Sequence, residues 1–439
     1  MAFIDYLELF PVQFYKLSDN EQQEILVKLG FCTLEDLKLL RKKTSLSHHL
    51  ASSLIENAVG CFPLPLGLAF NFVIDNKPYV IPMVIEESSV IATASKTAKW
   101  IYQEGCLTTK QVGMCGIGQI QIPKVKDFDL VSQIIYEHKK ELIDKVNANI
   151  LMSLVSRGGG AKDLLVRKIE RSDGHFMVVI HFFIDCKDAM GANIINQACE
   201  FIKPDIEQLT QEKVGLCILS NLTDTKITRA EVVVTNIDPE LGEKISEASL
   251  FAQLDPYRAA TNNKGVMNGI DPVLIATGND WRAVEAGIHA YAARSGSYTA
   301  ITTWQREGKD LHGILEAPIQ VGIVGGVTKL HPISQICLRI MKVQAASELS
   351  RIIAAVGLVQ NLGALKALVS EGITKGHMRL HISNLAIAAG AREEELPFIR
   401  QFLEKRLATQ RKISESDARE AISVIRAKEE DYEWGNSDV

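Results

Sequence analysis

A run of ten residues, Phe176 to Asp185, constrains the fold more than any other part of this sequence. The run is apolar enough to be a central strand of a β-sheet, and residues 190–202 directly after it have a helical pattern. Further strand patterns surround it at 119–122, 164–169, 214–219 and 230–234. Strands and helices that alternate in this way predict an α+β or α/β unit in the middle of the chain.

The regions on either side are predicted to be mainly helical. Capping boxes begin helices at Ser18 and at Ser414, and the tail from 393 to 428 has the pattern of two amphipathic helices. Residues 130–156 and 332–368 each predict a long helical stretch, whereas 79–85 predicts a strand after an Asp75-Asn76 turn. The Gly- and Asn-rich residues 257–265 predict a polar loop.

Length and charge limit the class of protein. A chain of 439 residues is too long for one ordinary core and predicts two or three domains. The net charge of −5 provides no basic field for a polyanion, so we expect no nucleic-acid partner. The eight cysteines form no CxxC pair, which predicts reduced, mostly buried thiols and a cytoplasmic protein. Residues 352–368 are apolar but contain Gln360, Asn361 and Lys366, so we expect no membrane anchor.

Two segments carry side chains suited to acyl chemistry. Glu86 and Glu87 end an apolar strand, where repulsion and desolvation can raise the pKa of one carboxyl into the range of a general acid. The alternative is a solvated strand end. Arg258 suits bidentate binding of a carboxylate, and Lys264 beside Gly265 suits stabilisation of an oxyanion. For this segment the alternative is an ordinary polar loop.

Two further segments carry polar side chains for which we compared a catalytic or metal-binding role with a purely structural one. Asp280 is placed to cap the helix that follows it, and it could also fix the ammonium group of Lys264. His377 and His381 share a helix face, but the HExxH pattern and a third ligand are missing, so we expect no metal site.

The best cofactor candidate is the turn after the central strand. Residues 185–193 follow the strand and open a helix, and Gly191 permits close approach of a pyrophosphate to the helix N-terminus. No GxGxxG fingerprint stands between a strand and a helix, so the residues alone predict only a weak phosphate site.

Together these segments resemble a known family. The strings DAMGAN at 188–193 and GNDWRAVEAG at 278–287 are highly specific, and ENAVG, PMVIEE, VMNGID and GHM accompany them at 56–60, 82–87, 266–271 and 376–378. In this order and over nearly the whole chain they resemble 3-hydroxy-3-methylglutaryl-coenzyme A (HMG-CoA) reductase, and more closely its soluble bacterial type, class II.

The resemblance implies the functional residues. The catalytic set carries over to Glu87, Lys264, Asp280 and His377. The substrate-binding positions implied are Ser89, Arg258, Thr261, Asn268 and His381. The cofactor-binding positions implied are Asp188, Met190, Gly191, Asn193 and Asn221.

The resemblance also implies the architecture. It predicts an α+β, multidomain protein in which a large, mostly helical substrate and dimerisation domain (1–112 and 223–373) is interrupted by a small α/β cofactor domain (113–222). A C-terminal helical flap (374–439) follows, with a hinge near Gly372 and Gly376. We expect a homodimer or a higher homo-oligomer with the active site at the subunit interface, near residues 56–60.

The implied reaction interconverts HMG-CoA and mevalonate plus coenzyme A by two hydride transfers. Lys264 would stabilise the hemithioacetal oxyanion, His377 would protonate the coenzyme A thiolate, and Glu87 would donate a proton in the second reduction. No acidic residue stands at 145–151 to repel a 2′-phosphate, which favours NADPH over NADH. The rivals are a catalytically inactive paralogue that binds coenzyme A ligands, and a coenzyme A thioester lyase or transferase without nicotinamide.

Overall fold

Helices and antiparallel sheets share the chain, which confirms the predicted α+β class. The computed structural model describes residues 14, 17–40, 46–370, 382, 384–410 and 413–435. The strands are β1 Leu66–Ile74, β2 Lys77–Val84, β3 Gly105–Gly113, β4 Gly116–Val125, β5 Gly160–Glu170, β6 Phe176–Asp185, β7 Cys217–Ser220, β8 Lys226–Val234, β9 Thr302–Glu307 and β10 Asp310–Pro318. The helices are α1 Asp19–Lys28, α2 Leu34–Leu40, α3 His48–Leu54, α4 Val90–Glu104, α5 Phe128–Glu137, α6 Lys139–Asn149, α7 Met152–Val155, α8 Ala192–Thr210, α9 Pro239–Leu254, α10 Pro256–Ala276, α11 Trp281–Ala292, α12 Gly326–Leu330, α13 Pro332–Met341, α14 Ala346–Val369, α15 Leu396–Gln410 and α16 Glu415–Gly435.

The largest hydrophobic core surrounds helix α14. Buried side chains of the hairpin β1–β2, of α4, α10 and α11, and of the four-stranded sheet β3-β8-β10-β9 belong to this core. In the part of the chain that the structure describes, α14 is the one helix long and apolar enough to span a membrane, but most of its apolar window is buried inside the fold. Its burial by helices and a sheet explains its composition as that of a core helix.

Helix α10 overturns the prediction of a loop at 257–265. The Asp255 side chain accepts the Arg258 backbone N–H at 2.7 Å, and Pro256 occupies the first helical position, so the helix starts with a strong cap. Gly269 is needed for packing, because a Cβ there would lie 2.8 Å from the carbonyl oxygen of Val356 on α14. Asn262, Asn263 and Gly269 therefore serve contacts with neighbouring elements, whereas Gly265 lies on the open side of the helix.

A second core lies between residues 120 and 214. Helices α5, α6 and α8 cover the sheet β5-β6-β4-β7, and β6 is an inner strand, as predicted. All strand pairs in this sheet are antiparallel, so the predicted α/β label for this part is wrong and the unit is α+β. The reason is local, since β5 and β6 are joined by a short hairpin rather than a helical crossover.

Element boundaries differ from the predictions where the chain breaks a helix. The helical stretch predicted at 130–156 is three helices, and the one predicted at 332–368 is divided at Lys342, whose φ is +54°. The predicted Asp75-Asn76 turn is confirmed, with φ of 51° and 62° as in a type I′ hairpin, and it joins β2 to the unpredicted strand β1.

The eight cysteines are all free thiols, but fewer are buried than predicted. Cys61 and Cys106 are exposed, and Cys115 and Cys217 are half-buried. The other four are buried at positions 32, 186, 199 and 337. Burial raises the pKa of the Cys186, Cys199 and Cys337 thiols to about 12, so these groups stay protonated and unreactive at neutral pH.

Helices α15 and α16 form a third apolar cluster near the C-terminus. The capping box predicted at Ser414 is confirmed in part, because Asp417 accepts from the Ser414 backbone N–H and hydroxyl, both at 2.7 Å, whereas the Asp417 N–H donates to the Ser414 carbonyl rather than to its side chain. The buried Glu395 carboxylate joins the two ends of the cluster, accepting from Arg426 Nε at 2.7 Å and from the Arg392 backbone N–H at 2.6 Å. The hinge predicted at Gly372 and Gly376 lies outside the described residues.

Replacing Glu395 by Gln is expected to destabilise α15 and α16 by about 1–3 kcal/mol at pH 7, since it weakens a charge-assisted bond to Arg426. The Arg426 hydrogen bond, aided by that from Arg392, lowers the pKa of Glu395 from 4.5 to about 2. The wild-type contribution is therefore present above about pH 4.5 and is lost as the pH falls towards 2. Hydrogen exchange of these helices at pH 7 and an acid titration followed by circular dichroism test this. The exposed neighbour Glu394→Gln is the control and should behave as wild type.

Candidate active site

Helix α10 presents one polar face to the surface. Arg258, Thr261, Lys264 and Asn268 lie within an arc of about 120° on this face, at 100° per residue. The opposite face is buried in the main core. A Cβ at Gly265, on the polar face, would meet no described atom within 4 Å, which leaves the surface beside Lys264 open to a ligand. One helix thus brings together four of the predicted site residues.

Glu87 reaches this face from the segment between β2 and α4. Lys264 Nζ donates to Glu87 Oε2 at 3.1 Å, and both side chains are more than a third exposed. Glu86 is exposed and forms no ion pair among the described residues. The structure thus places Glu87 rather than Glu86 at Lys264. Strand β2 ends at Val84, so both glutamates lie beyond the strand.

Ser89 lies two residues further on, as the N-cap of α4. Its φ is +77°, a left-handed conformation that costs a non-glycine residue energy and is found at functional sites. Its side chain does not cap the helix. The backbone therefore turns sharply at Ser89, directly before α4, and the N-terminus of α4 has no side-chain cap.

Asp280 caps helix α11, as predicted from its position. Its carboxylate accepts the Ala283 backbone N–H at 3.1 Å and lies 3.4 Å from Arg282. The predicted contact with Lys264 is not formed, since no ion pair within 4.0 Å joins these two described residues. In this conformation Asp280 is a helix cap, and Glu87 alone of the two carboxylates is bonded to Lys264.

The predicted cofactor turn lies between β6 and α8, and the main core holds it in place. Asp188 accepts twice, at its carbonyl oxygen from the Ile323 N–H and at its carboxylate from the Ala346 N–H, both at 2.9 Å. The Gln320 side chain donates to the Met190 carbonyl at 2.6 Å. The Asp188 carboxylate therefore caps the N-terminus of α14, a function that the sequence did not indicate.

Gly191 is required at the start of α8. Its φ is +98°, and a Cβ there would lie 2.4 Å from Cys186 Sγ. Because the cap residue has no side chain, the first-turn N–H groups of α8 have no side-chain cap, and the exposed Asn193 lies in that turn. Asn221, also exposed, packs its backbone on α11, where a Cβ at Gly287 would be 2.5 Å from its carbonyl oxygen.

Asn279 was missed by the sequence reasoning and joins the two halves of the site. Its side chain accepts the Gly322 N–H at 2.8 Å and donates to Thr277 at 2.9 Å. It thus connects the cap of α11 to the segment 320–323 that holds the cofactor turn. A signal was available, since Asn279 directly precedes the capping Asp280.

Arg258 is half-buried, and its guanidinium forms no ion pair within 4.0 Å among the described residues. Burial lowers the pKa of Arg258. A partly desolvated cation without a carboxylate partner favours binding of one from a ligand. His377 and His381 lie outside the described residues, so their positions stay predictions. Within the described ranges, no group of three His, Cys, Asp or Glu side chains could hold a metal ion.

The chain is similar in sequence to known proteins. A family model described as hydroxymethylglutaryl-coenzyme A reductase matches residues 19–382. The 3-hydroxy-3-methylglutaryl-coenzyme A reductase of Archaeoglobus fulgidus is 45% identical over 388 residues, which are 87% of this chain and 88% of that protein. A probable reductase of the same name from Borreliella burgdorferi is 35% identical over 341 residues, or 76% of this chain and 77% of that one.

Solved structures show the same fold. A 3-hydroxy-3-methylglutaryl-coenzyme A reductase from Streptococcus pneumoniae has a TM-score of 0.79 at 37% identity, covering 94% of this chain and 99% of that one. The class II enzyme of that organism, bound to NADPH in open conformations, has a TM-score of 0.78 at 38% identity over 82% and 99% of the two chains.

Fold, site and relatives define an oxidoreductase that acts on a coenzyme A thioester. The chain belongs to the hydroxymethylglutaryl-coenzyme A reductase family, and its structure is that of the class II enzymes. The comparisons give no support to an inactive paralogue or to a lyase or transferase.

Glu87→Gln is expected to lower the turnover for HMG-CoA reduction at least 10²-fold, because it removes the acid that is bonded to Lys264. Glu86→Gln, the matched neighbour, should retain most of the activity. Steady-state kinetics of both variants, monitored by nicotinamide absorbance, measure this. The assignment is wrong if Glu86→Gln is the inactive variant.

Proposed function

We propose that the enzyme interconverts HMG-CoA and mevalonate plus coenzyme A at the polar face of α10. The observation that carries the proposal is the 3.1 Å bond between Lys264 Nζ and Glu87 Oε2. An ammonium group and a carboxylate side by side at an open surface can stabilise an oxyanion and transfer a proton. Reduction of a thioester to an alcohol needs four electrons and therefore two hydrides.

NADPH is the cofactor that the residues fit, and an S. pneumoniae relative has been solved with NADPH bound. The uncapped first turn of α8 suits a pyrophosphate. When bound, the reduced nicotinamide supplies the hydrides. Residues 145–151 contain no acid, Asn147 is bonded to the Ala161 backbone, and Lys145 pairs with Asp205. No carboxylate on this stretch would therefore repel a 2′-phosphate.

Each site residue then has a role. Lys264 donates to the substrate carbonyl oxygen as that oxygen gains charge, and Glu87 supplies the proton when the aldehyde is reduced. Arg258 binds the free carboxylate of the substrate, with Ser89, Thr261, Asn268 and His381 completing the substrate pocket. Asp280 keeps its observed role as the cap of α11. His377 protonates the departing coenzyme A thiolate, so that the thiolate does not add back.

The domain division follows the apolar clusters of the described residues. Residues 1–112 and 223–373 would form the substrate domain, 113–222 the cofactor domain, and 374–439 a flap that closes over the site. The main, central and C-terminal clusters each fall within one of these segments, which supports the division. We propose that the enzyme acts in the cytoplasm.

The exposed apolar side chains support a homodimer with the site at its interface. Val59 is 99% exposed, Phe62 90% and Leu254 75%. Tyr257, 88% exposed, directly precedes Arg258 on α10. Large exposed apolar side chains favour a partner surface. Leu254 and Tyr257 place part of that surface at the start of α10, beside Arg258.

Lys264→Ala is expected to lower turnover about 10²–10³-fold in both HMG-CoA and mevaldehyde reduction, since one preorganised oxyanion donor is lost. Lys244→Ala, which removes an exposed ammonium paired only with Glu240 in the same helix, is the control. A Lys264→Ala enzyme with more than about a tenth of wild-type turnover would refute the proposed role.

Phe62→Asp is expected to convert the dimer to monomer and to abolish most activity, because it places a charge in the apolar interface. Light scattering after size exclusion measures the mass. Met152→Asp changes another exposed apolar side chain (61%), in the cofactor unit, and should leave the mass unchanged. A wild-type monomer, or a dimeric Phe62→Asp variant, would rule out this interface.

A further inference from the structure

Two neighbouring asparagines, Asn262 and Asn263, are buried on the core side of α10. Asn263 has no solvent exposure and Asn262 has 3%. Burying an amide is unfavourable unless each polar atom finds a partner. Both residues directly precede Lys264, so their bonds act on the turn of helix that carries it.

Asn263 bonds to the segment before β9. Its Oδ1 accepts the Ile301 backbone N–H at 3.1 Å, and its Nδ2 donates to the Thr299 carbonyl at 2.9 Å and to the Tyr298 hydroxyl at 3.0 Å. A backbone N–H only donates and a carbonyl only accepts, so these two partners fix which side of the amide faces each. The Tyr298 hydroxyl continues to His289 Nδ1 at 2.7 Å.

Asn262 bonds in a different direction. Trp304 Nε1, which only donates, gives its hydrogen to Asn361 Oδ1 at 2.8 Å, and Asn361 Nδ2 then donates to Asn262 Oδ1 at 2.9 Å. Asn262 Nδ2 in turn donates to Thr302 Oγ1 at 3.0 Å. Helix α10 is thus tied to β9 and to α14 at the same turn.

These bonds restrict rotation of α10 about its own axis. Apolar packing tolerates small rotations, whereas hydrogen bonds in two directions permit only one setting. A side-chain tip about 5–6 Å from the helix axis moves by about 2 Å for a rotation of about 20°. Such a shift would remove the 3.1 Å bond between Lys264 and Glu87, and an error of about 1 Å in a reacting group costs about 10²-fold in rate.

We propose that Asn262 and Asn263 are positioning residues that set the rotation of α10 and so aim Lys264 at the reacting carbonyl. The proposal rests on the proposed role of Lys264. It makes a specific claim: the catalytic effect of the asparagines passes through the Lys264 ammonium group and disappears when that group is absent.

A double-mutant cycle tests this. Asn263→Ala is expected to lower kcat/KM for mevaldehyde reduction about 10–100-fold in the wild-type background. In a Lys264→Ala background the same change should cost less than about threefold, because there is no ammonium left to misplace. Equal factors in the two backgrounds, or no loss in the wild-type background, would overturn the proposal.

Asn147→Ala is the matched control. Asn147 bonds to the Ala161 backbone through its own Nδ2 and Oδ1, at 3.0 and 2.8 Å. It lies on α6, beside the second core and not on α10. Its effect should be the same factor with and without Lys264, as for independent sites. Should its factor also shrink in the Lys264→Ala background, the cycle would be reporting general destabilisation, and the proposal would fail.

Thr302→Val provides a second variant in case Asn263→Ala does not fold. It removes only the hydroxyl that accepts from Asn262, and it should lower kcat/KM about threefold to tenfold, again only when Lys264 is present. A Lys264→Ala enzyme with wild-type activity would refute the proposed function itself, an outcome distinct from additivity in the cycle. Melting curves confirm that each variant is folded at the assay temperature.

Discussion

The close approach of α10 and α14 is the contact on which the rest of the structure depends. A Cβ at Gly269 would lie 2.8 Å from the Val356 carbonyl, and one at Gly357 would lie 2.8 Å from the Ile270 side chain. At each of these glycines the helix backbone therefore lies directly against the other helix, with no room for a side chain between them. One face of α10 is fixed in the core by this contact, and the other face becomes a rigid surface that carries Arg258 and Lys264.

Much of this could be predicted from the sequence, because local signals and structure agree over most of the chain. The central strand β6, the Asp75-Asn76 hairpin and the caps at Ser18 and Ser414 all follow from short-range chemistry. The site residues of α10 were identified through their resemblance to a family. The spacing of these residues is that of a helix face, and this was obscured by a composition typical of loops.

What could not be predicted depends on contacts between distant segments. Asn262 and Asn263 lower helix propensity in isolation and are explained only by partners about 35–100 positions away, at Tyr298 and Asn361. The capping role of Asp188 at Ala346 is of the same kind. Asp280 illustrates the reverse case, since its local role as a cap was predictable whereas the contact predicted with Lys264 is not formed.

The Asp188 carboxylate has a consequence for how the protein responds to heat. It belongs to the turn that precedes α8, yet it caps the N-terminus of α14, the helix at the centre of the main core. A ligand that orders this turn would also stabilise the hydrogen bond between the Asp188 carboxylate and the first N–H of α14. With the cofactor bound at this turn, as proposed above, its occupancy and the thermal stability of the main core would be linked through one carboxylate, and the enzyme without cofactor would melt at a lower temperature than the enzyme with cofactor.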